Sequence, residues 1–405
     1  MANKPDLPWQ PPSTVAPDSP ADWVQGFSIG DQVQVERPFI LAPMSGVTDT
    51  SFRCMVQKAS RGTVGMFVTE FISIEGLRRL DVMARTRMAF DPVLERPLAV
   101  QIFGADLKHM VQAAKVVQES GAHILDINCG CPAPKVVRRG GGAEMMRQRD
   151  RLARLVEATV EAVDIPVTVK IRSGWCQDSI NAVDVARTVE RAGATMLAVH
   201  GRTRVQLYSG VPDWELISEV VEAVQIPVVG SGYINCAEVA LDRLRESGCA
   251  AVMIGRAAIM NPWIFGQIDE LISGRAPTRP SNRDRLALLH DFHDQMVANE
   301  AMPEKAIPGR LKQLLSRLVK SIPHGMLLRS RVLRARSSAE MFEWIEGFFE
   351  AADAGQVAVW AEQAREDQLK CHGQADDAQP VAKNRRGLRA RRKLRRQRST
   401  QMARR

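Results

Sequence analysis

The segment Asp126-Ile-Asn-Cys-Gly-Cys-Pro-Ala-Pro134 is the part of the sequence best suited to chemistry, because its pattern would expose a thiol. An apolar run from His123 to Ile127 leads into it, and such a run before a Pro- and Gly-rich turn predicts a strand that ends in a loop. Pro132 has no N–H and biases Cys131 away from helical backbone angles. We therefore expect the Cys131 thiol on a stiff, extended turn at a strand end, a good position for a reactive group.

Polar residues or glycines follow seven other short apolar runs in the same way. These seven runs end at Met44, Glu70, Gln101, Lys170, His200, Ser231 with Gly232, and Gly255 with Arg256. With Asn128, they make eight predicted strand ends. The runs are too uniformly apolar to alternate between a buried and an exposed face, as is typical of strands in a buried parallel sheet.

Amphipathic stretches separate these eight runs, and glycines such as Gly121, Gly193 and Gly248 follow several of them at the C-cap position. Eight strand–helix units in about 230 residues predict an α/β fold, a (β/α)8 TIM barrel, with the polar residues converging on the C-terminal face where active sites of this fold lie. An open doubly wound sheet is the alternative. It is less favoured because no G-x-G-x-x-G follows the first strand.

The last two strands end in Gly230-Ser-Gly232 and Ile254-Gly-Arg256. The loops after strands seven and eight of a barrel commonly bind phosphate, with backbone N–H groups at a helix start and here Arg256 to pair with the anion. This pattern predicts a phosphate site. The alternative is that these glycines only permit tight turns between strand and helix.

The chain of 405 residues is long enough for a barrel and a smaller domain. No apolar run approaches the roughly 18 residues needed to span a bilayer, so we expect no membrane association. Seven scattered cysteines without CxxC pairs fit a reducing cytoplasm, and we expect no metal site. The first 20 residues contain six prolines and indicate a flexible arm.

Basic charge is concentrated at the C-terminus. Residues 383–405 hold twelve Lys and Arg and no Asp or Glu, so residues 1–382 carry −3 of the net charge of +9. Such a run suggests a polyanionic partner, most simply nucleic acid, although a solubilising tail is the alternative. Before the tail, Arg310, Arg317 and Lys320 fall near one face of a helical region, which is another candidate nucleic-acid surface.

We therefore divide the chain into four parts, which are a Pro-rich N-terminal arm (1–35), a catalytic barrel (36–274), an all-helical RNA-binding domain (275–365) and a basic, disordered tail (366–405). Amphipathic patterns predict helices at 283–299, 309–321 and 339–352 of the helical domain.

Several stretches together resemble the tRNA-dihydrouridine synthase family. These are Leu41-Ala-Pro-Met-Ser-Gly-Val-Thr-Asp49, Val68-Thr-Glu70, Pro97-Leu-Ala-Val-Gln-Ile-Phe-Gly104, Asp126-Ile-Asn-Cys-Gly-Cys-Pro132, Val169-Lys-Ile-Arg-Ser-Gly-Trp175, His200-Gly-Arg-Thr-Arg-Val-Gln-Leu-Tyr-Ser-Gly210 and Ile254-Gly-Arg-Ala-Ala-Ile-Met-Asn-Pro-Trp-Ile-Phe265. The resemblance spans about residues 37 to 350.

The resemblance implies a barrel that binds FMN and reduces the C5=C6 bond of uridine in tRNA, with NADPH (or NADH) as the electron donor. In that reaction a hydride from the reduced flavin reaches C6 and a proton reaches C5. Cys131 is the general acid that the resemblance implies, since a thiol with a pKa of about 8.5 holds its proton at neutral pH. Cys129 lies where the family varies, and we expect it to pack as a small hydrophobe.

The resemblance also implies roles for the other strand-end residues. The implied cofactor contacts are Pro43, Met44, Gln101, Lys170, His200, Ser231, Gly232, Gly255 and Arg256. The implied substrate contacts are Asn128, Glu70, Arg172 and Arg202, with flavin phosphate as an alternative partner for the two arginines. We expect a monomer without an obligate protein partner. One departure is Gly230-Ser-Gly-Tyr-Ile234, where the family usually has Gly-Asn-Gly-Asp-Ile.

Two other functions stay open at this stage. The first is an FMN barrel oxidoreductase that acts on a small molecule such as a pyrimidine, against which the helical domain and tail argue. The second is a non-catalytic RNA-binding protein on a barrel that has lost its cofactor, for which Tyr233 is the motivation.

Overall fold

The computed structural model describes residues 19–79, 81–299 and 302–362. Its strands are β1 (Phe27–Ile29), β2 (Val33–Val35), β3 (Phe39–Leu41), β4 (Met66–Val68), β5 (Ile72–Ser73), β6 (Leu98–Phe103), β7 (Ile124–Asn128), β8 (Val167–Arg172), β9 (Met196–His200), β10 (Val228–Ser231) and β11 (Ala251–Ile254).

Eight of these strands form a closed parallel barrel. The order runs β3, β4, β6, β7, β8, β9, β10 and β11, and β11 pairs with β3 to close the ring. The short β5 adds to the edge of β6. The predicted (β/α)8 TIM barrel is confirmed. Because β6 to β10 extend further than the apolar runs suggested, Gln101, Asn128, Lys170, His200 and Ser231 lie on the strands themselves.

The helices around the barrel are Thr50–Ala59, Ile74–Arg78, Val82–Met88, Leu107–Glu119, Pro134–Val137, Arg149–Val160, Ala182–Arg191, Glu215–Ala223, Ala237–Ser247, Arg256–Met260 and Ile264–Ile272. Five of them, those that begin at Leu107, Arg149, Ala182, Glu215 and Ala237, match amphipathic stretches of the sequence. Three helices around the barrel begin with aspartate caps, since Asp49 accepts from the Phe52 N–H at 3.0 Å, Asp81 from the Met83 N–H at 2.9 Å and Asp106 from the His109 N–H at 2.9 Å.

A hairpin that the sequence did not predict lies before the barrel. β1 and β2 pair antiparallel, and Ile29 and Val35 are fully buried among barrel residues. Gln32 donates to the carbonyl of Asp164, just before β8, at 2.9 Å. The hairpin therefore covers the N-terminal end of the barrel, opposite the face that carries the polar strand ends. Residues 1–18 of the predicted arm lie outside the described residues.

The region after the barrel is helical, as predicted. Its helices are Asn282–Ala298, Ile307–Leu318, Gly325–Val332 and Ser338–Asp353, and the third was not predicted. Ser281 and Asp284 form a capping box that starts the first of them. The chain separates into two compact units, of which the first ends at Ile345 and the second begins at Glu346. The boundary that the sequence predicted between residues 274 and 275, which separates the barrel from the helices, therefore lies inside the first unit.

Within the part of the chain that the structure describes, no helix has the length and apolar character to cross a membrane. The basic tail predicted for residues 366–405 lies outside that part.

Candidate active site

Strand register brings the predicted site residues together at the C-terminal face of the barrel. Asn128 on β7 is in register with Lys170 on β8. His200 on β9 is in register with Arg172 on β8 and with Ser231 on β10. Residues far apart in sequence therefore meet at the barrel mouth.

Cys131 lies on the turn after β7, which we call the thiol turn (residues 130–133). The Asn128 side-chain oxygen accepts from the N–H groups of Cys131 at 2.8 Å and Gly130 at 3.1 Å. Cys131 is only 8% exposed. Burial raises the pKa of its thiol, and the Ala133 N–H and the charge of Arg172 oppose this. The thiol is therefore protonated at neutral pH. Cys129, by contrast, is fully buried.

A chain of hydrogen bonds extends from Asn128 into the barrel. Its amide nitrogen donates to Gln101 Oε1 at 2.7 Å, and Gln101 Nε2 donates to Asp126 Oδ2 at 2.6 Å. Thr168 donates its hydroxyl to Asp126 Oδ1 at 2.6 Å. Burial raises the pKa of Asp126, while Thr168, Gln101 and the charge of Lys170 lower it. Asp126 was not predicted as a site residue, although an acid inside an apolar strand is a signal.

Lys170 and His200 present donors toward the mouth without protein acceptors. Burial lowers the pKa of Lys170 to about 8, and its ammonium has no hydrogen-bond or ion-pair partner among the described residues. Burial and the charges of Lys170, Arg172, Arg202 and Arg256 hold the pKa of His200 well below its usual range. His200 is therefore neutral. Its Nδ1 accepts from the Arg202 N–H at 3.3 Å, which leaves the proton on Nε2.

Arg172 and Arg202 are buried and donate to backbone carbonyls. Arg172 donates to Gly130 at 2.9 Å and to Thr203 at 2.9 Å and Leu207 at 3.0 Å. Arg202 donates through Nε and Nη2 to the Gly210 carbonyl, at 3.0 and 2.6 Å. Both arginines thus hold the loop after β9, residues 201–213, which we call the β9 loop.

Glu70 and the loop after β3 form the opposite side of the mouth. Pro43 and Met44 begin this loop, residues 42–49, which we call the β3 loop. The Glu70 carboxylate accepts from the Gly46 N–H and lies 3.7 Å from Arg87 Nε. Arg310, in the helical region, donates to the carbonyls of Gly46 and Val47. The basic helical pattern predicted a nucleic-acid surface for Arg310 and gave no signal of this contact.

The predicted phosphate turns lie after β10 and β11. Ser231 donates to the Met253 carbonyl at 3.2 Å. Gly232 has a φ of +145°, and a Cβ there would lie 2.6 Å from Pro212, so only glycine fits. Gly255 precedes Arg256, whose exposed guanidinium lies 4.7 Å from the ring centre of Tyr208.

Tyr208 lies at this rim without having been predicted, and it is exposed together with Tyr233. Arg172 contacts the same ring, at 5.8 Å. The sequence carried no signal that would distinguish Tyr208 from other loop residues.

The donors at the mouth match the acceptors that FMN would present. The Lys170 ammonium and the His200 Nε2–H have no hydrogen-bond partner among the residues described, and both side chains are partly exposed, so they are free to donate to a bound group. Gln101 keeps one amide proton beyond the one given to Asp126. The exposed Arg256 provides a cation at the turn where a phosphate would lie. The residues present therefore fit this cofactor. No group of three or more potential metal ligands occurs among the described residues.

Comparison with known proteins decides the family. The sequence profile described as "Dihydrouridine synthase (Dus)" matches residues 40–345. The chain belongs to the dihydrouridine synthase family. The resemblance stated from the sequence motifs is thereby confirmed, and the chain is an oxidoreductase of this family.

Several similar proteins are named as tRNA-dihydrouridine synthases. The probable tRNA-dihydrouridine synthase of Rhodobacter capsulatus is 42% identical over 269 residues, 66% of this chain and 82% of that protein. The tRNA-dihydrouridine synthase B of Pseudomonas aeruginosa is 43% identical over 264 residues, 63% and 78% of the two chains. The B enzyme of Xanthomonas campestris is 36% identical over 328 residues, 78% and 94%.

Among solved structures, histamine dehydrogenase from Rhizobium sp. 4-9 superposes with a TM-score of 0.48 at 16% identity, over 68% of this chain and 51% of that one. This similarity is too distant to add to the assignment.

Proposed function

We propose that this protein reduces the C5=C6 bond of specific uridines in tRNA to 5,6-dihydrouridine, with FMN as cofactor, NADPH or NADH as electron donor and Cys131 as general acid. Family membership and the names of the relatives support the reaction. The single observation that carries the mechanism is the enclosed, protonated Cys131 thiol at the same barrel mouth as Lys170 and His200.

FMN, when bound, supplies the hydride for uracil C6 after its own reduction by the nicotinamide donor. The Lys170 ammonium, the His200 Nε2–H and the remaining amide proton of Gln101 would hold its ring system. Pro43 and Met44 would pack against that ring. Ser231, Gly232, Gly255 and Arg256 would hold its phosphate.

Cys131 holds the proton that the uracil C5 atom needs. A general acid must carry its proton at working pH and give it up in the transition state. Burial raises the pKa of Cys131, so the thiol meets the first requirement. It stays a proton donor and is not required to act as a nucleophile.

Asn128 orients both the acid and the substrate. Its oxygen fixes the thiol turn through the N–H groups of Gly130 and Cys131, and one amide proton goes to Gln101. The second amide proton has no partner within the described residues and would donate to a uracil carbonyl.

Glu70, Arg172 and Arg202 act on the substrate through the two loops that they hold. Arg172 and Arg202 give their donors to the β9 loop, and Glu70 holds Gly46 of the β3 loop. These loops border the mouth that a uridine must enter. We propose that the three residues shape this entrance.

A uridine inside folded tRNA must leave its base stack to reach the barrel mouth. Lys and Arg on the helical region and in the tail would bind the phosphate backbone, which makes the affinity fall as salt rises. We propose that the protein works in this way as a cytoplasmic monomer, without a membrane or an obligate protein partner.

Mass spectrometry of cellular tRNA with and without the gene tests the reaction. Loss of dihydrouridine at a defined position, restored by the wild-type gene, supports it. Unchanged dihydrouridine at every position in the deletion strain, together with no product from purified protein, FMN, NADPH and unmodified tRNA, contradicts it.

The same reconstitution separates the alternatives. Salt-insensitive reduction of free uracil-like compounds, with tRNA left unmodified, would indicate the small-molecule oxidoreductase. A purified protein that is colourless and takes up no FMN would indicate the non-catalytic RNA-binding barrel.

A further inference from the structure

We infer that Asp126 is a positioning residue, whose carboxylate sets the orientation of Gln101 and Asn128 in series and thereby fixes the turn that carries Cys131. The inference rests on the proposed function only in that Cys131 is the acid. The thiol turn itself can be examined without uridine or FMN.

Four links form the series. Thr168 donates to Asp126 Oδ1 at 2.6 Å, Gln101 Nε2 donates to Asp126 Oδ2 at 2.6 Å, and Asn128 Nδ2 donates to Gln101 Oε1 at 2.7 Å. The Cys131 N–H then donates to Asn128 Oδ1 at 2.8 Å. Every link has a donor facing an acceptor, so the series has a direction.

Asp126 fixes the direction at one end of the series, and the backbone N–H groups of the thiol turn fix it at the other. An amide side chain can turn over and exchange its oxygen with its nitrogen, whereas an ionised carboxylate only accepts. Gln101 must therefore turn its nitrogen to Asp126 and its oxygen to Asn128. Asn128 must then turn its nitrogen to Gln101, which leaves its oxygen for the backbone N–H of Cys131. A proton on Asp126 Oδ1 would not change this, because Oδ2 still accepts from Gln101.

Because these four side chains are buried, reversing the direction of their hydrogen bonds would be costly. Gln101, Asp126, Asn128 and Thr168 are all buried, so water does not readily replace a reversed link. If Gln101 turned over, its nitrogen would face the nitrogen of Asn128. If Asn128 followed, two N–H groups of the thiol turn would face an NH2 group. Either reversal leaves buried polar groups without partners.

The opposite side of the thiol turn is held separately. The Ala143 N–H donates to the Cys131 carbonyl at 3.1 Å. A Cβ on Gly142 would lie 2.6 Å from that carbonyl, so the backbones approach closely there. Loss of the Asn128 contact is therefore expected to release one side of the turn and expose the thiol without unfolding the segment.

The test measures alkylation of Cys131 by iodoacetamide in the full-length protein, followed by peptide mass spectrometry. Asp126→Asn lets the neighbouring amides reverse, and we expect Cys131 to react about tenfold faster or more, as the loss of a buried hydrogen bond allows. Cys129 is the internal control, because it is fully buried and stays unreactive unless the protein unfolds.

The double variant Asp126→Asn/Gln101→Glu restores the direction. The introduced asparagine donates to the introduced glutamate, which also accepts from Asn128, and the net charge is that of the wild type. We expect Cys131 reactivity to return to within about threefold of the wild-type rate, an energy difference below that of one hydrogen bond. Thr168→Val removes one donor to Asp126 without changing the direction, and we expect a reactivity near the wild-type rate.

Two outcomes would overturn the inference. One is a wild-type rate of Cys131 alkylation in Asp126→Asn, and the other is a double variant that reacts as fast as the single one with Cys129 still protected. Because alkylation needs no substrate, these results are separate from the test for dihydrouridine. If the alkylation rates follow this expectation in a protein that makes no dihydrouridine, the proposed reaction is rejected and the role of Asp126 in holding the thiol turn is kept.

Discussion

Arg310 Nη2 lies 2.5 Å from Asp49 Oδ2, so a helix of the C-terminal region is joined by an ion pair to the loop that follows the first barrel strand. Asp49 uses its other carboxylate oxygen to cap the helix Thr50–Ala59. Arg310 also donates to the Val47 carbonyl at 2.9 Å. The β3 loop, which carries Pro43 and Met44, is therefore held by a residue more than 260 positions later in the chain.

Arg310→Gln is expected to lower the free energy of unfolding by about 1–3 kcal/mol, because charge-assisted hydrogen bonds from a partly buried guanidinium are lost. We also expect weaker FMN binding, since the β3 loop loses a contact. Urea denaturation and FMN titration measure the two effects.

Arg317→Gln is the matched control on the same helix. Arg317 is exposed, and no described residue pairs with it. We expect unchanged stability and weaker, less salt-dependent tRNA binding. Equal stability loss in both variants would contradict a specific role for Arg310.

Cys131→Ala is expected to keep FMN binding and tRNA affinity but to lower the rate of uridine reduction by about 10²–10⁴-fold, the range for loss of a general acid. Single-turnover reduction of unmodified tRNA by the pre-reduced enzyme measures this step. Cys176→Ala changes a partly exposed thiol away from the turn and should retain full activity. Full activity of Cys131→Ala would reject the general-acid role.

The barrel and most of its site residues could be predicted because their signals are local. Apolar runs marked the eight strands, glycines marked the ends of several helices, and seven of the eight strand ends carried a polar residue or a glycine. The sequence did not predict the hairpin Phe27–Val35, because six prolines upstream suggested an arm and its strands have only three residues each.

The partners of the site residues could not be predicted from the sequence. Arg172 and Arg202 have the charge of phosphate ligands, yet both donate to carbonyls of the β9 loop, and Arg172 also donates to the Gly130 carbonyl of the thiol turn. Arg310 and Arg317 belong to the same basic helical pattern in the sequence. What distinguishes Arg310 is its contact with the β3 loop. Such pairings depend on how distant segments meet, and no local pattern encodes them.

Lys170 is expected to make FMN affinity depend on pH. Burial lowers its pKa to about 8, so the ammonium is charged below that pH and loses its proton above it. A cofactor that accepts hydrogen bonds from the ammonium binds the charged form more tightly, so affinity should fall as pH rises through about 8. Fluorescence titration of FMN into the apoprotein from pH 6.5 to 9 measures this.

Lys170→Met is the control for that titration. It should bind FMN more weakly at pH 7, and its affinity should change less than that of the wild type over the same range. His200 does not contribute, since its pKa lies well below 6.5. Parallel pH profiles in the wild type and Lys170→Met would contradict an ammonium contact.

Glu95→Gln is expected to destabilise the barrel by about 3–5 kcal/mol, because it leaves the buried charge of Arg53 uncompensated. Both side chains are fully buried, and Glu95 also accepts from the Asp91 N–H at 2.8 Å. Arg53 in turn donates to the Ala89 carbonyl at 2.8 Å. Urea denaturation measures the loss.

Asp184→Asn breaks a surface ion pair, between Arg149 and Asp184 at 2.9 Å with both side chains at least half exposed, and should cost less than about 1 kcal/mol. The contrast between the two variants follows from solvent, since water screens the exposed pair and cannot reach the buried one. A similar small loss in Glu95→Gln would mean that the carbonyls of Thr48 and Ala89, which already accept from Arg53, compensate its charge without the carboxylate.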